Sequence, residues 1–272
     1  MKALSEKQRY QYYEASVQDP EAQLDLFEEV YRDEYGVMPN SLREDFCGTF
    51  SLCANWVKRG TKRTALGIDF DSSPLEFGRK HNLSKLSPRQ KKALKLKLAD
   101  VRDVKSPKVD LNVVCNFSFY SLKDRRALVE YFKAAYAGLK KKGGFVLEMV
   151  GGPGFEEVPF KESRSVYRDG KKGKPWLKYT WQHKDFDPIS RNGLYAINFR
   201  TAKGQTYKDA FVYDWRVWTI PEVKEALQEA GFKKIVVYWE TENKDGEDEY
   251  ERLDRADADF DTWIAFVVAY KS

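Results

Sequence analysis

The chain has 272 residues, 42% hydrophobic and 15% aromatic, ample for one large core carrying additions. Its three cysteines, Cys47, Cys53 and Cys115, are too few and too irregularly spaced for a disulfide framework or a zinc site, and with only His81 and His183 no histidine-built metal centre is expected. The net charge of +5 is modest but uneven: bases gather at 85–97, 140–142 and 161–174, while 240–261 holds eleven acids against three bases. Such runs read first as solvated faces and loops, since nucleic-acid binding needs them on one surface with exposed aromatics. The opening residues carry no apolar run of signal-peptide length, and nowhere are about eighteen apolar residues consecutive, so a cytoplasmic protein without membrane contact is expected.

Residues 5–35 read as helices. Pro20 and Glu21 open a pattern in which Leu24, Phe27, Val30 and Tyr31 recur at helical spacing, and Gly36 with Pro39 ends it. An alternating pattern follows, with strands at 41–46, 65–69, 94–100, 110–116 and 144–150 and helices at 50–59, 74–83 and 123–139. Strands separated by helices predict a parallel sheet with right-handed crossovers.

The periodicity changes after Val150. Gly151, Gly152, Pro153 and Gly154 break the strand, a basic loop spans 164–174, and 178–183, 194–200 and 207–217 read as antiparallel strands. Tyr179 alternates with Trp181 on the first of these, and Phe211, Tyr213 and Trp215 share one face of the last. A helix at 221–230, a strand at 235–240, an acidic hairpin connection and a strand at 263–269 complete the pattern. The organisation expected is a helical cap at 1–40, an α/β core at 41–150, an antiparallel insertion at 151–218 serving as lid or dimer platform, and the rest of the core sheet at 219–272.

The most informative segment is Leu42-Arg43-Glu44-Asp45-Phe46-Cys47-Gly48-Thr49, with Asp69 about twenty residues later at the end of the next strand. In a doubly wound sheet the turn after the first strand approaches a nucleotide-like ligand, and an acid ending the second strand accepts from both ribose hydroxyls. A dinucleotide needs several glycines so that its pyrophosphate can lie on backbone N–H groups. This turn has only Gly48, with Phe46 and Phe50 crowding it.

Asp45 to Thr49 resembles the acid-led first motif of class I S-adenosylmethionine-dependent methyltransferases, with Phe50 where a last glycine is common. Asp69, Asp100-Val101, Asn116-Phe117-Ser118 and Ala230-Gly231-Phe232 extend the resemblance over most of the chain. A closer likeness, to an uncharacterised bacterial and plant group, rests on Arg43 to Thr49 and on the aromatic segment from Tyr213 to Trp218. The resemblance implies a Rossmann-like, seven-stranded methyltransferase sheet, with the helical cap and the antiparallel β insertion after the fifth strand.

It also implies a site for S-adenosylmethionine. Asp69 would take the ribose diol, Asp100 the adenine amine, the Val101 N–H the ring, and Phe70 or Ile68 would pack on its face. Asp45, Cys47, Gly48 and Thr49 would form the turn, with Asp45 anchoring it or meeting the methionine ammonium through water. Arg43 would bind the carboxylate or pair with Glu44 or Asp45. Asn116, Phe117, Ser118 and Tyr120 would border the methyl group, Tyr10 or Tyr13 of the cap would close over it, and Glu148 would meet a substrate amine. The catalytic candidates are Tyr120, Glu148 and Tyr13. Against these stand plainer roles: Asp71 and Asp69 as helix caps, Asp100 as a turn former, Cys47 as buried filler, and Trp181, Tyr213, Trp215 and Trp218 as packing between insertion and core.

The reaction expected is in-line methyl transfer in which positioning does most of the work, aided by an acid or tyrosine that orients or deprotonates the nucleophile. A small-molecule acceptor is the leading expectation. RNA or protein is the alternative suggested by the basic runs, and a non-catalytic cofactor-binding module, dimeric through the insertion, is the third.

Overall fold

In the computed structural model, residues 4–168, 173–242, 248–257 and 261–271 are described. Parts of the basic run at 161–174 and of the acidic run at 240–261 therefore lie outside the described residues.

Two helices lead the chain. Helix α1 (Glu6–Val17) starts at Ser5, whose side chain accepts from the Gln8 N–H, and α2 (Pro20–Tyr35) starts at Asp19 with proline in its first turn and stops at Gly36, in the left-handed region at φ 70°. There follow β1 (Ser41–Asp45), α3 (Ser51–Trp56), β2 (Thr64–Asp69), α4 (Ser72–His81), the short α5 (Pro88–Ala93), β3 (Leu94–Leu98), β4 (Val109–Val114), α6 (Arg125–Gly138) and β5 (Leu139–Gly151). Strands β1 to β5 pair in parallel in the order β3-β2-β1-β4-β5. The order reverses between β1 and β4, which opens a crevice at the carboxyl ends of the strands.

After the short α7 (Pro153–Glu156) comes a separate antiparallel sheet of β6 (Phe160–Val166), β7 (Leu177–Asp187), β8 (Asn192–Thr201) and β9 (Thr206–Arg216), in that order. Helix α8 (Ile220–Glu229), closed at its start by a Thr219–Glu222 capping box, then returns the chain to the main sheet. Strands β10 (Lys234–Glu242), β11 (Asp248–Arg252) and β12 (Trp263–Lys271) extend that sheet antiparallel, with β12 beside β5.

The seven strands expected are present in one sheet, and β11 adds an eighth at its edge, within the stretch read as an acidic hairpin connection. Strand β11 pairs along β10, and its Tyr250 packs edge-on against Phe266, ring centroids 4.9 Å apart. Strand β6 was likewise not expected. Its Lys161, Glu162 and Arg164 are exposed, and charge on an edge strand deters pairing with other chains.

The main sheet buries both faces. Phe119, Phe132, Phe145, Leu147 and Leu227 pack on one side, and Phe27, Leu42, Trp56, Val113 and Val268 on the other. The aromatic face of the second sheet joins the first of these layers through Tyr195, Trp215, Val217 and Trp218. Helix α1 lies against the same sheet, with Tyr12 edge-on to Trp176 and Phe199 and Tyr13 tilted on Phe211 at 4.8 Å.

Candidate active site

The alternation of side chains along β1 decides which of its charges reach the crevice. Arg43 and Asp45 point to the α6 side, where both are fully buried and paired at 2.6 Å. Asp45 also accepts from Asn112 Nδ2 (3.0 Å) and the Tyr131 hydroxyl (2.8 Å), while Arg43 donates to the Val101 carbonyl (2.8 Å) and the Val104 carbonyl. A Cβ at Gly138 would stand 2.9 Å from Arg43 Nη1, so glycine makes room for the guanidinium. Neither residue lines the crevice. The side chain of Asp45 anchors the turn from within, and Arg43 has its donors committed to that network.

Glu44, between them, faces the other way and lines a cavity of about 340 Å³. It accepts from the Cys53 N–H at 3.1 Å, and burial, with Asp69 and Asp45 nearby, pushes its carboxyl up to about 7. Asp45 thus takes the first of its two expected roles, anchoring the turn, and Glu44, not singled out from the sequence as a site residue, is the acid of β1 that reaches the cavity. The strand pleat held the missed signal: Leu42 and Glu44 share a face, and Leu42 is wholly buried in the layer against α3.

The turn that follows is held by backbone in the left-handed region at Phe46 (φ 56°), Gly48 (φ 51°) and Phe50 (φ 49°). Phe50, the departure from the usual glycine, turns its ring away from the cavity and is fully buried. A Cβ at Gly78 on α4 would run into the Phe50 ring and the Thr49 carbonyl oxygen. The missing glycine of the turn is thus matched by one on the facing helix.

Asp69 ends β2 on the same cavity. The Gly48 N–H donates to its Oδ2 (2.7 Å) and the Asp71 N–H to its Oδ1 (2.9 Å), and burial raises its carboxyl above the usual range. Asp71 caps α4 through the Ser73 N–H, as its plainer reading had it. Phe70 stands exposed on the rim, while Cys47, Gly48, Thr49, Asn116 and Ser118 complete much of the wall. The hydroxyl of Thr49 is buried there with no hydrogen-bond partner among the described residues, and the space over Gly48 is open. Among the described lining residues Arg9 of α1 is the sole lysine or arginine.

Asp100 and Val101 are not brought to this wall. Both Asp100 oxygens are taken by Arg102, which holds its carboxyl below the usual range, and Val101 is buried with its carbonyl accepting from Arg43. Tyr120 is also displaced from its expected place. It is wholly buried, its hydroxyl donating to the Val150 carbonyl at 2.7 Å, and desolvation raises its phenol far above the usual range.

A second cavity, of about 250 Å³, lies between the strand ends and the second sheet. Phe117, Phe155, Tyr179, Trp181, His183 and Trp215 are among its walls. It shares Tyr13, Asn116, Tyr213 and Trp215 with the first cavity, so the two meet across these four side chains. Tyr13 lies near Tyr213, and burial raises both phenols. Glu148 sits behind this junction on a different, acid-rich cavity. Its Oε2 accepts from the Asn116 N–H (2.7 Å) and Gln23 Nε2 (3.3 Å), and burial pushes it up to about 7.

Among the described residues, each of the basic runs has a member engaged within the fold. Arg89 donates to the carbonyls of Val57, Gly60 and Thr61, Lys140 pairs with Asp110, and Arg164 donates to the Ser16 carbonyl and lies over the Tyr179 ring.

No protein-family model matches the sequence, and no curated protein matches it either. Solved structures do match. DesVI from Streptomyces venezuelae superimposes with a TM-score of 0.70 at 17% identity, with all of both chains covered. An S-adenosylmethionine-dependent methyltransferase from Clostridium acetobutylicum gives 0.67 at 17%, covering 97% of this chain and 98% of its own. CalS10 from Micromonospora echinaspora, an amino pentose methyltransferase solved with S-adenosylmethionine bound, gives 0.67 at 14% over all of both chains. At such identities the likeness speaks to architecture, and the chain has the fold of these S-adenosylmethionine-dependent methyltransferases along its whole length.

Proposed function

We propose that the protein is a methyltransferase that binds S-adenosylmethionine in the acid-lined cavity and methylates a small molecule held in the aromatic one. The observation that carries this reading is the junction of the two cavities at Tyr13, Asn116, Tyr213 and Trp215. A methyl donor and an acceptor need separate chambers that open onto one another at the reacting atoms.

The residues present suit this cofactor. Its sulfonium and ammonium call for acids, which Glu44 and Asp69 supply, whereas a pyrophosphate would meet those same carboxylates unfavourably. Asp69 would hold the ribose hydroxyls on lone pairs left over from its two backbone bonds, with Phe70 against the adenine. The open space over Gly48 and the unpartnered Thr49 hydroxyl would receive the methionine end, and Arg9 takes the carboxylate role first considered for Arg43. The bound cofactor supplies an electrophilic methyl group. Tyr13 and Tyr213 orient the acceptor at the junction, the Asn116 backbone held by Glu148 fixes the floor, and the second sheet with α1 acts as a lid that excludes water.

CalS10 acts on an amino pentose, which supports a small acceptor. Incubating the protein with methyl-labelled S-adenosylmethionine and panels of amino sugars, amines and phenols tests the assignment. Label transferred to one class, with none transferred to RNA or protein, is the expected result. Cofactor binding without transfer to any small molecule would remove it.

A further inference from the structure

Strand β7 sends Tyr179, Trp181 and His183 to one face, and its regular pairing with β8 is interrupted by a register shift just after the histidine. His183 is 3% exposed and lines the aromatic chamber, with the rings of Phe160, Tyr195 and Phe155 at 4.7, 5.1 and 5.3 Å. Its Nδ1 lies 2.9 Å from the Glu157 carbonyl oxygen. A carbonyl only accepts, so Nδ1 carries the hydrogen and Nε2 keeps a lone pair. Among the described residues no group hydrogen-bonds Nε2, and burial lowers the imidazole below its usual range, which keeps it neutral near pH 7.

The walls around it suit a flat ring. Phe117, Phe155, Phe160, Tyr179, Trp181 and Trp215 line the chamber, and Tyr213 packs tilted on Trp215 at 4.5 Å. The carboxylate lining this chamber is Glu162, on the exposed edge strand. Arg164 lines it too, so the two charged groups offset one another and a neutral acceptor suits the chamber.

We propose that His183 Nε2 is the general base of this chamber and that the acceptor is a neutral, flat-ringed molecule of the phenol class. The inference rests on the proposed function. The phenolic O–H bond breaks, its proton passes to Nε2, and the oxygen keeps the electron pair. That oxygen bonds the methyl carbon as the carbon–sulfur bond breaks with its pair going to sulfur, and the imidazolium formed balances the sulfonium lost.

The test uses 4-nitrophenol, whose phenolate absorbs visible light and whose phenol does not, titrated into the whole protein saturated with S-adenosylhomocysteine. On wild type, binding is expected to raise the phenolate fraction at least twofold at a pH about one unit below the probe's own pKa. His183→Asn, which keeps a donor towards Glu157, is expected to bind the probe without that rise, and His183→Gln supplies the same contrast should the first variant not fold. Equal phenolate rise in wild type and variant would overturn the base. No probe binding by a protein that binds S-adenosylhomocysteine would overturn the acceptor class alone. Failure to bind S-adenosylhomocysteine would overturn the proposed function and this inference with it.

Discussion

The two cavities that meet at Tyr13 and Asn116 are made in different ways. The acid-lined one is assembled at strand ends, from carboxylates of β1 and β2 and from backbone bent into the left-handed region at Phe46, Gly48, Phe50, Asn116 and Phe117. The aromatic one is lined largely by side chains that share one face of a four-stranded antiparallel sheet. Backbone turns present fixed donors suited to a ligand of constant shape, whereas an aromatic face changes its ligand by single substitutions. The contrast predicts that changes in the first region act on cofactor affinity or folding, and that changes in the second act on the acceptor.

Within the first region Arg43 and Asp69 separate folding from binding. Arg43→Ala strands Asp45 without its buried partner and is expected to cost about 3–5 kcal/mol of stability, read from denaturant midpoints. Asp69→Ala is expected to leave the fold in place and weaken S-adenosylhomocysteine by about 2–3 kcal/mol, since a charge-assisted pair of hydrogen bonds is lost. Affinity unchanged in that variant would break the assignment of the ribose to Asp69.

Gly78→Ala sharpens the pairing of Gly78 with Phe50. The new Cβ meets the Thr49 carbonyl as well as the ring, so the turn must shift, at about 1–3 kcal/mol. Calorimetry should show lower cofactor affinity as well, and neither effect would mean that the turn is looser than its packing implies.

The smallest effect expected is a pH dependence at Glu148. Its folded carboxyl is raised to about 7, so the folded state binds more protons than the unfolded one and stability falls as pH rises. The contribution is intact below the ordinary carboxylate range and is lost as pH climbs towards and through about 7. Glu148→Gln should therefore melt later than wild type at pH 8, by roughly 1–2 kcal/mol, and the gap should close at pH 5. A gap independent of pH would show that the side chain is already neutral or solvated.

Much of the architecture was legible because alternating strand and helix periods, and the turn residues between them, are local properties. The placement of Asp69 at the crevice followed from the end of β2. Glu44 escaped notice because the acids sit side by side, and only the pleat, fixed by the burial of Leu42, tells which one faces α6. Asp100 and Tyr120 lie at plausible strand ends, yet one is taken by Arg102 and the other bonds the Val150 carbonyl, partners that no spacing announces. His183 was invisible as a site residue because its value depends on the register that sets it opposite Phe160 and Tyr195 in neighbouring strands.

The central claim is that the cavity of Glu44, Thr49 and Asp69 holds S-adenosylmethionine. Calorimetric titration of the purified protein with S-adenosylmethionine, S-adenosylhomocysteine and NAD tests it most directly. The account predicts micromolar binding of both sulfur ligands at one site per chain and none of NAD. Binding of NAD, or of neither sulfur ligand, would contradict it.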